Sequence, residues 1–163
     1  MTRILFVCLG NICRSPMAEF IMKDLVAKKG HEQDFYIASA ATSDEEIWNG
    51  IGNPVYPPAR EELRKHGITD VSGKHATQLR RSDYDKYDLI LGMEKMNIRT
   101  MINMLGGDPA GKVKRLLDYS DNPRDISDPW FTRDFKSAYD DIVEGCNALY
   151  EAVAADQTCC TNS

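Results

Sequence analysis

Ile4-Leu5-Phe6-Val7-Cys8-Leu9-Gly10-Asn11-Ile12-Cys13-Arg14-Ser15-Pro16 runs an apolar strand straight into a short polar turn that carries a cysteine, an arginine and a serine. Ile4 to Val7 is a β-branched and aromatic run of the kind that fills a strand buried on both faces. Gly10 and Asn11 are the residue types that most readily take positive φ, so successive backbone N–H groups can converge on one point. Ser15-Pro16 then opens a helix, because proline in a first turn forfeits an N–H that had no intrahelical partner. A ring of N–H groups at a helix N-terminus is an anion site. Cys8 sits at the strand's end beneath that ring, where the helix, the amides and Arg14 all favour thiolate over thiol. Ser15 adds a hydroxyl for the sulfur, and Arg14 a planar fork for two phosphoryl oxygens. The stretch reads as a phosphate cradle around a cysteine nucleophile.

Outward from the cradle, Met17, Phe20, Ile21 and Leu25 recur at helical spacing, and Gly30 supplies a stop. Asp34 to Ala41 reads as a second strand, completing a βαβ unit whose right-handed crossover implies a parallel sheet. Thr42 to Pro58, rich in glycine and proline, reads as loop and holds Trp48. Ala59 to His66 reads as a short charged helix, Tyr87 to Met93 as a third strand, and Val113 to Leu117 as a fourth. Between the last two, Ile98, Met101, Ile102 and Leu105 share a helical face; from Phe135 to Val153 a wide apolar stripe predicts a long helix that buries Cys146. The pattern is an open parallel α/β domain, in which ligands sit off the carboxyl ends of the strands, where the cradle lies.

The chain has 163 residues, with 20 Lys and Arg against 25 Asp and Glu, for a formal net charge of −5. That length suits one domain with one core, expected over residues 1–157 with a short polar tail at 158–163. The acidic balance argues against a general nucleic-acid binder, and no basic block suggests a membrane patch. The N-terminal apolar run is too short for a signal core or a span, so a cytoplasmic protein without stable membrane insertion is expected. Five irregularly spaced cysteines read as reduced thiols. No zinc spacing and no magnesium-type carboxylate cluster appears, so neither metal nor cofactor is expected.

A thiolate that attacks a phosphate monoester needs a partner to protonate the leaving oxygen. Asp125-Ile126-Ser127-Asp128-Pro129-Trp130-Phe131 supplies the best candidate. Pro129 restricts Asp128 to extended conformations and so steadies its carboxyl group. Asp121, Asp125 and Asp134 are read as bystanders.

The unbroken run Val7-Cys8-Leu9-Gly10-Asn11-Ile12-Cys13-Arg14-Ser15-Pro16-Met17-Ala18-Glu19 resembles the signature of the low-molecular-weight protein tyrosine phosphatases. The resemblance covers nearly the whole chain. It implies a three-layer fold, four parallel strands in the order 2-1-3-4 with helices on both faces. It implies hydrolysis of phosphotyrosine in proteins, and of aryl phosphates, by Cys8, Arg14 and Asp128 through a phosphocysteine. The amides from Leu9 through Gly10, Asn11, Ile12, Cys13 and Arg14 to Ser15 would hold the phosphate, or another oxyanion acting as product or inhibitor. Asn11, Ser15 and Ser39 would shape the cradle and steady the thiolate. Trp48, Trp130 and Phe131 would wall the substrate cleft, and Cys13 would be a redox partner for Cys8. The protein would be a monomer or weak dimer.

Two departures accompany the likeness. Lys74, beside His75, stands where the family often has a histidine that fixes the cradle asparagine, and Thr77 stands where it has arginine. Three rivals share the scaffold. An arsenate reductase needs two further cysteines mid-chain, and none lies between Cys13 and Cys146. Arginine phosphatases favour threonine where Ile12 stands. A silent phosphate-binding adaptor would have lost Cys8, Arg14 or Asp128.

Overall fold

The structure, a computed structural model, describes residues 1–161, with side chains described through residue 157. One of the two interior strands of its main sheet is β1 (Thr2–Cys8). On one side β1 pairs in parallel with β2 (Phe35–Ala41), from Thr2 opposite Phe35 to Cys8 opposite Ala41. A small antiparallel hairpin of β3 (Ile47–Trp48) and β4 (Ile51–Gly52) lies apart from the main sheet. On its other side β1 pairs with β5 (Leu89–Gly92), which in turn pairs with β6 (Val113–Arg115), also in parallel. The order β2-β1-β5-β6 is the expected 2-1-3-4 once the hairpin strands are set aside.

Alternation along β1 explains the three layers. Ile4, Phe6 and Cys8 project into a core shared with α1 (Arg14–Lys28) and α6 (Phe135–Thr161). Leu5 and Val7 project the other way, onto Met101 and Leu105 of α4 (Lys95–Leu105). Gly92 ends β5 where α4 comes close, since a Cβ there would lie 2.9 Å from the Met101 sulfur. Two shorter helices, α2 (Pro57–Lys65) and α3 (Asp83–Lys86), complete the chain up to β5.

Several boundaries differ from expectation. The third strand is shorter because Tyr87 terminates α3 and has not yet joined the sheet. The fourth stops at Arg115, where the Asp118 carboxylate accepts the Arg115 N–H at 2.9 Å and coils Leu116–Tyr119 into a 3-10 turn. That turn buries Leu116 and Leu117 in the core. The segment Thr42–Pro58 is not all loop, for Asn49 and Gly50, at φ 51° and 77°, make the tight turn of the β3–β4 hairpin. The α6 backbone continues to Thr161, so the first part of the expected tail is helical; Asn162 and Ser163 lie outside the described residues. Among the described residues no helix is long and apolar enough to cross a membrane.

Candidate active site

The turn from β1 into α1 is organised by one side chain. Asn11 takes φ 58°, while Gly10 stays out of the left-handed region, so the asparagine alone supplies the positive φ expected of the pair. Its amide donates to Ser15 Oγ at 2.8 Å and to Ser39 Oγ at 2.9 Å, and its carbonyl accepts the Thr77 N–H at 3.1 Å. Each serine oxygen therefore already accepts a proton and must send its own elsewhere. Ser39 donates to Glu19 Oε1 at 2.6 Å, and Ser15 turns toward Cys8 Sγ at 2.9 Å, nearer than its 3.5 Å contact with the Ala40 carbonyl. The Asn11 N–H reaches the same sulfur at 3.3 Å.

Beneath this network lies a charge that sequence reasoning left unassigned. Glu19 is only 5% exposed, accepts Lys23 Nζ at 2.6 Å and lies 3.7 Å from Lys74 Nζ. Lys74 also donates to the Ser39 carbonyl at 2.8 Å. Burial pushes the Lys74 ammonium below its ordinary pKa, against the pull of Glu19. Lys74 thus supports the cradle from behind, while His75 is exposed and pairs with the Gly52 carbonyl at 2.9 Å. The available signal for Glu19 was a charge set in the first turns of an otherwise buried helix face.

Arg14 is 2% exposed. Its guanidinium donates to the Ile126 carbonyl at 2.8 Å and meets Glu94 and Asp128 at 3.4 Å each. Burial opposes its charge, but Cys8, Asp128 and Glu94 outweigh burial and hold its pKa above the usual value. Cys13, at the N-cap of α1, is different: burial, reinforced by Cys8 and Asp128 and opposed by Arg14, pushes its thiol up to about 12. Cys13 therefore stays protonated at neutral pH. Cys8, Cys13 and Cys146 are all free thiols.

Asp128 caps the short helix α5 (Pro129–Thr132), accepting the Trp130 N–H at 3.0 Å through Oδ1, while Oδ2 faces Arg14. The loop before it is pinned at three points. Arg124 reaches Asp141 and Glu144 of α6 at 2.8 and 2.9 Å, Asp125 accepts from Arg115 and the Lys95 N–H at 3.0 Å each, and the Ile126 N–H meets the Met93 carbonyl at 2.9 Å. Asp125 is therefore a staple, and Asp134 caps α6 by accepting from Ser137. Asp121 is simply exposed.

A cavity of about 310 Å³ opens over the cradle, lined by residues 8–10 and 12–14, by Asp128, Trp130 and Phe131, and by Glu45 and Glu46. Tyr56 backs Trp130, their rings 4.9 Å apart. Trp48 is not part of this lining. The β3–β4 turn carries it outward, 82% exposed, beside Asn49, Ile51 and Asn53, and the two glutamates take the wall expected of it. Asn11, Ser15 and Ser39 lie behind the cavity, as supports.

Comparison with known proteins agrees with this geometry. The family described as low molecular weight phosphotyrosine protein phosphatase matches residues 3–158. The chain is 40% identical over 159 residues to the low molecular weight protein-tyrosine-phosphatase YfkJ of Bacillus subtilis, covering 96% of this chain and 99% of the relative. The crystal structure of YfkJ superposes with a TM-score of 0.88 over 96% of each chain. Identity is 37% to the low molecular weight phosphotyrosine protein phosphatase of Gallus gallus, over 91% of this chain and 93% of the relative. A match of this extent, joined to a cradle built around Cys8 and Arg14, means that the chain belongs to the low molecular weight phosphotyrosine protein phosphatase family.

Proposed function

We propose that this chain hydrolyses phosphotyrosine in proteins, and aryl phosphates, through a phosphocysteine formed on Cys8. The observation that carries the reading is the convergence of the Ser15 hydroxyl and the Asn11 N–H on Cys8 Sγ, in the same cavity as Arg14 and Asp128. The sulfur attacks phosphorus in line and the bond to the tyrosine oxygen breaks as Asp128 protonates that oxygen. Asp128, now a carboxylate, takes a proton from water as the water displaces Cys8 and frees inorganic phosphate. Arg14 and the amides from Leu9 to Ser15 bind the equatorial oxygens through both steps, where preorganised donors gain most from a site shielded from water. Amides and guanidinium carry the charge, so the scheme requires no metal.

The name of the Bacillus relative supports tyrosine as the substrate, and the aromatic wall of Trp130 and Phe131 supports a flat aryl group in the slot. Cys8 and Cys13 line one cavity, which supports a reversible disulfide between them. Reduced cysteines support a cytoplasmic setting, and we read the protein as a monomer or weak dimer.

The test is turnover of an aryl phosphate and of phosphotyrosine, phosphoserine and phosphoarginine peptides by wild type, Cys8→Ser and Asp128→Ala. Cys8→Ser should abolish turnover while still binding phosphate. Asp128→Ala should slow phosphotyrosine hydrolysis by about 10² to 10⁴, the usual contribution of a general acid. Undiminished activity in Asp128→Ala would remove the proposed donor, and faster hydrolysis of phosphoarginine than of phosphotyrosine would overturn the substrate.

A further inference from the structure

We propose that Glu45 and Glu46 make the enzyme selective for phosphotyrosines flanked by basic residues. The proposal rests on the phosphotyrosine reading above and concerns what surrounds the phosphorylated ring. Both glutamates line the cavity that holds Cys8, on the side opposite in composition to the aromatic wall. They are fixed there. The Ser43 N–H and hydroxyl both donate to the Leu9 carbonyl, at 3.0 and 2.9 Å, which clamps the acidic turn to the cradle's outer edge. Asn53 then holds Glu46 twice, donating from its side chain to Oε2 at 2.7 Å and from its backbone to the Glu46 carbonyl at 2.8 Å. The approach is close enough that a methyl group on Gly10 would lie 3.3 Å from Glu46 Cγ and 3.7 Å from Glu45 Oε1.

The charge around the cavity gives these residues their effect. Among the described residues Arg14 is the one cation in the lining, and it already faces Glu94 and Asp128. Glu46 is held by a neutral amide, so it and Glu45 add negative charge that no described cation offsets by an ion pair. The phosphoryl dianion is held by the amides and Arg14, deeper in the site. The glutamates at the mouth act instead on neighbouring residues of the peptide, attracting lysine or arginine and repelling aspartate or glutamate. The other wall cannot do the same: it presents Trp130 and Phe131, with the Arg133 guanidinium 5.6 Å from the Trp130 ring. A cation in the peptide is therefore drawn to the hairpin side. An exposed ion pair is worth up to about five-fold in affinity, so two such contacts, with repulsion on the other side of the comparison, predict a discrimination of about ten-fold or more.

The test uses three phosphotyrosine peptides of one length, with lysine, glutamine or glutamate on both sides of the phosphorylated residue. Their kcat/KM values are measured with wild type, Glu45→Gln/Glu46→Gln and Glu45→Lys/Glu46→Lys, at low and at high salt. The lysine peptide should lead the glutamate peptide by about ten-fold in wild type at low salt, and the lead should shrink at high salt as screening sets in. The ratio should collapse toward unity in the glutamine variant and invert in the lysine variant. Because each ratio is taken within one protein, a general loss of activity or of folded enzyme cancels. Equal rates in wild type, or a lead that survives in the glutamine variant, would overturn the proposal; preference for the glutamate peptide would hand control to Arg133. Failure to hydrolyse any of the three would sink the phosphotyrosine reading and this proposal with it, whereas indiscriminate hydrolysis sinks this proposal alone.

Discussion

Cys8 and Asp128 face one cavity, yet the two halves of the site are held by opposite means. The cysteine half is buried: Asn11, Ser15 and Ser39 form a closed hydrogen-bond network at the end of the central strand, with Glu19 and Lys74 behind it. The aspartate half has one buried anchor, the Ile126 N–H on the Met93 carbonyl, and is otherwise fastened nearer the surface, by Arg124 to α6 and by Asp125 to Arg115 and the start of α4. Buried networks lose a great deal when one member is removed, because each orphaned group stays desolvated. Exposed ion pairs lose little. The nucleophile is therefore held rigidly, while the acid is held just firmly enough to meet it.

The sharpest way to break that contrast is Asn11→Ala. The change deletes three side-chain hydrogen bonds and leaves an alanine at φ 58°. It should cost roughly 2–4 kcal/mol in urea unfolding and lower kcat/KM on an aryl phosphate by about a hundred-fold, as the sulfur loses its oriented serine. A folded, fully active variant would show that the network is ornamental. Arg124→Ala addresses the other half. It should cost about 1 kcal/mol of stability and cut turnover about five-fold on phosphotyrosine, with little change in the alkylation rate of Cys8. A matching drop in alkylation would mean that the two halves are one mechanical unit.

The smallest effect concerns pH. The Glu144 carboxyl is drawn from its ordinary 4.5 down to about 2, first by Arg124 and then by Ser120. A carboxylate with a depressed folded-state pKa stabilises fully above its unfolded value and loses that contribution as pH falls through the folded one. Wild type should thus exceed Glu144→Gln by about 0.5 kcal/mol at neutral pH, discounted for solvent screening. The gap should close between 4.5 and about 2. Thermal melts across that range would reveal a gap that instead widens with acid, and so refute the pairing.

The same contrast governs what could be read from the chain. The cradle is legible because nucleophile, clamp and turn residues fall within a single contiguous run, each with a local physical signature. Asp128 is legible through Pro129 and the aromatics beside it. The anchors of its loop are not, since Arg124 finds Asp141 and Glu144 on a helix whose placement only the packed core decides. Trp48 illustrates a signal present but passed over. Asn49-Gly50 is a strong two-residue hairpin turn, and a hairpin there turns the indole away from the cleft. Glu45 and Glu46 carry no signature of their own in the chain; they reach the cradle's edge because Ser43 clasps Leu9.

Cys8 is the last residue of an interior strand, paired along its whole length with β2. Warming should consequently loosen the proton-delivering loop well before the sulfur moves. Over an interval of temperature the protein would then be catalytically silent but chemically armed, still consuming a small electrophile at the thiolate after hydrolysis has ceased.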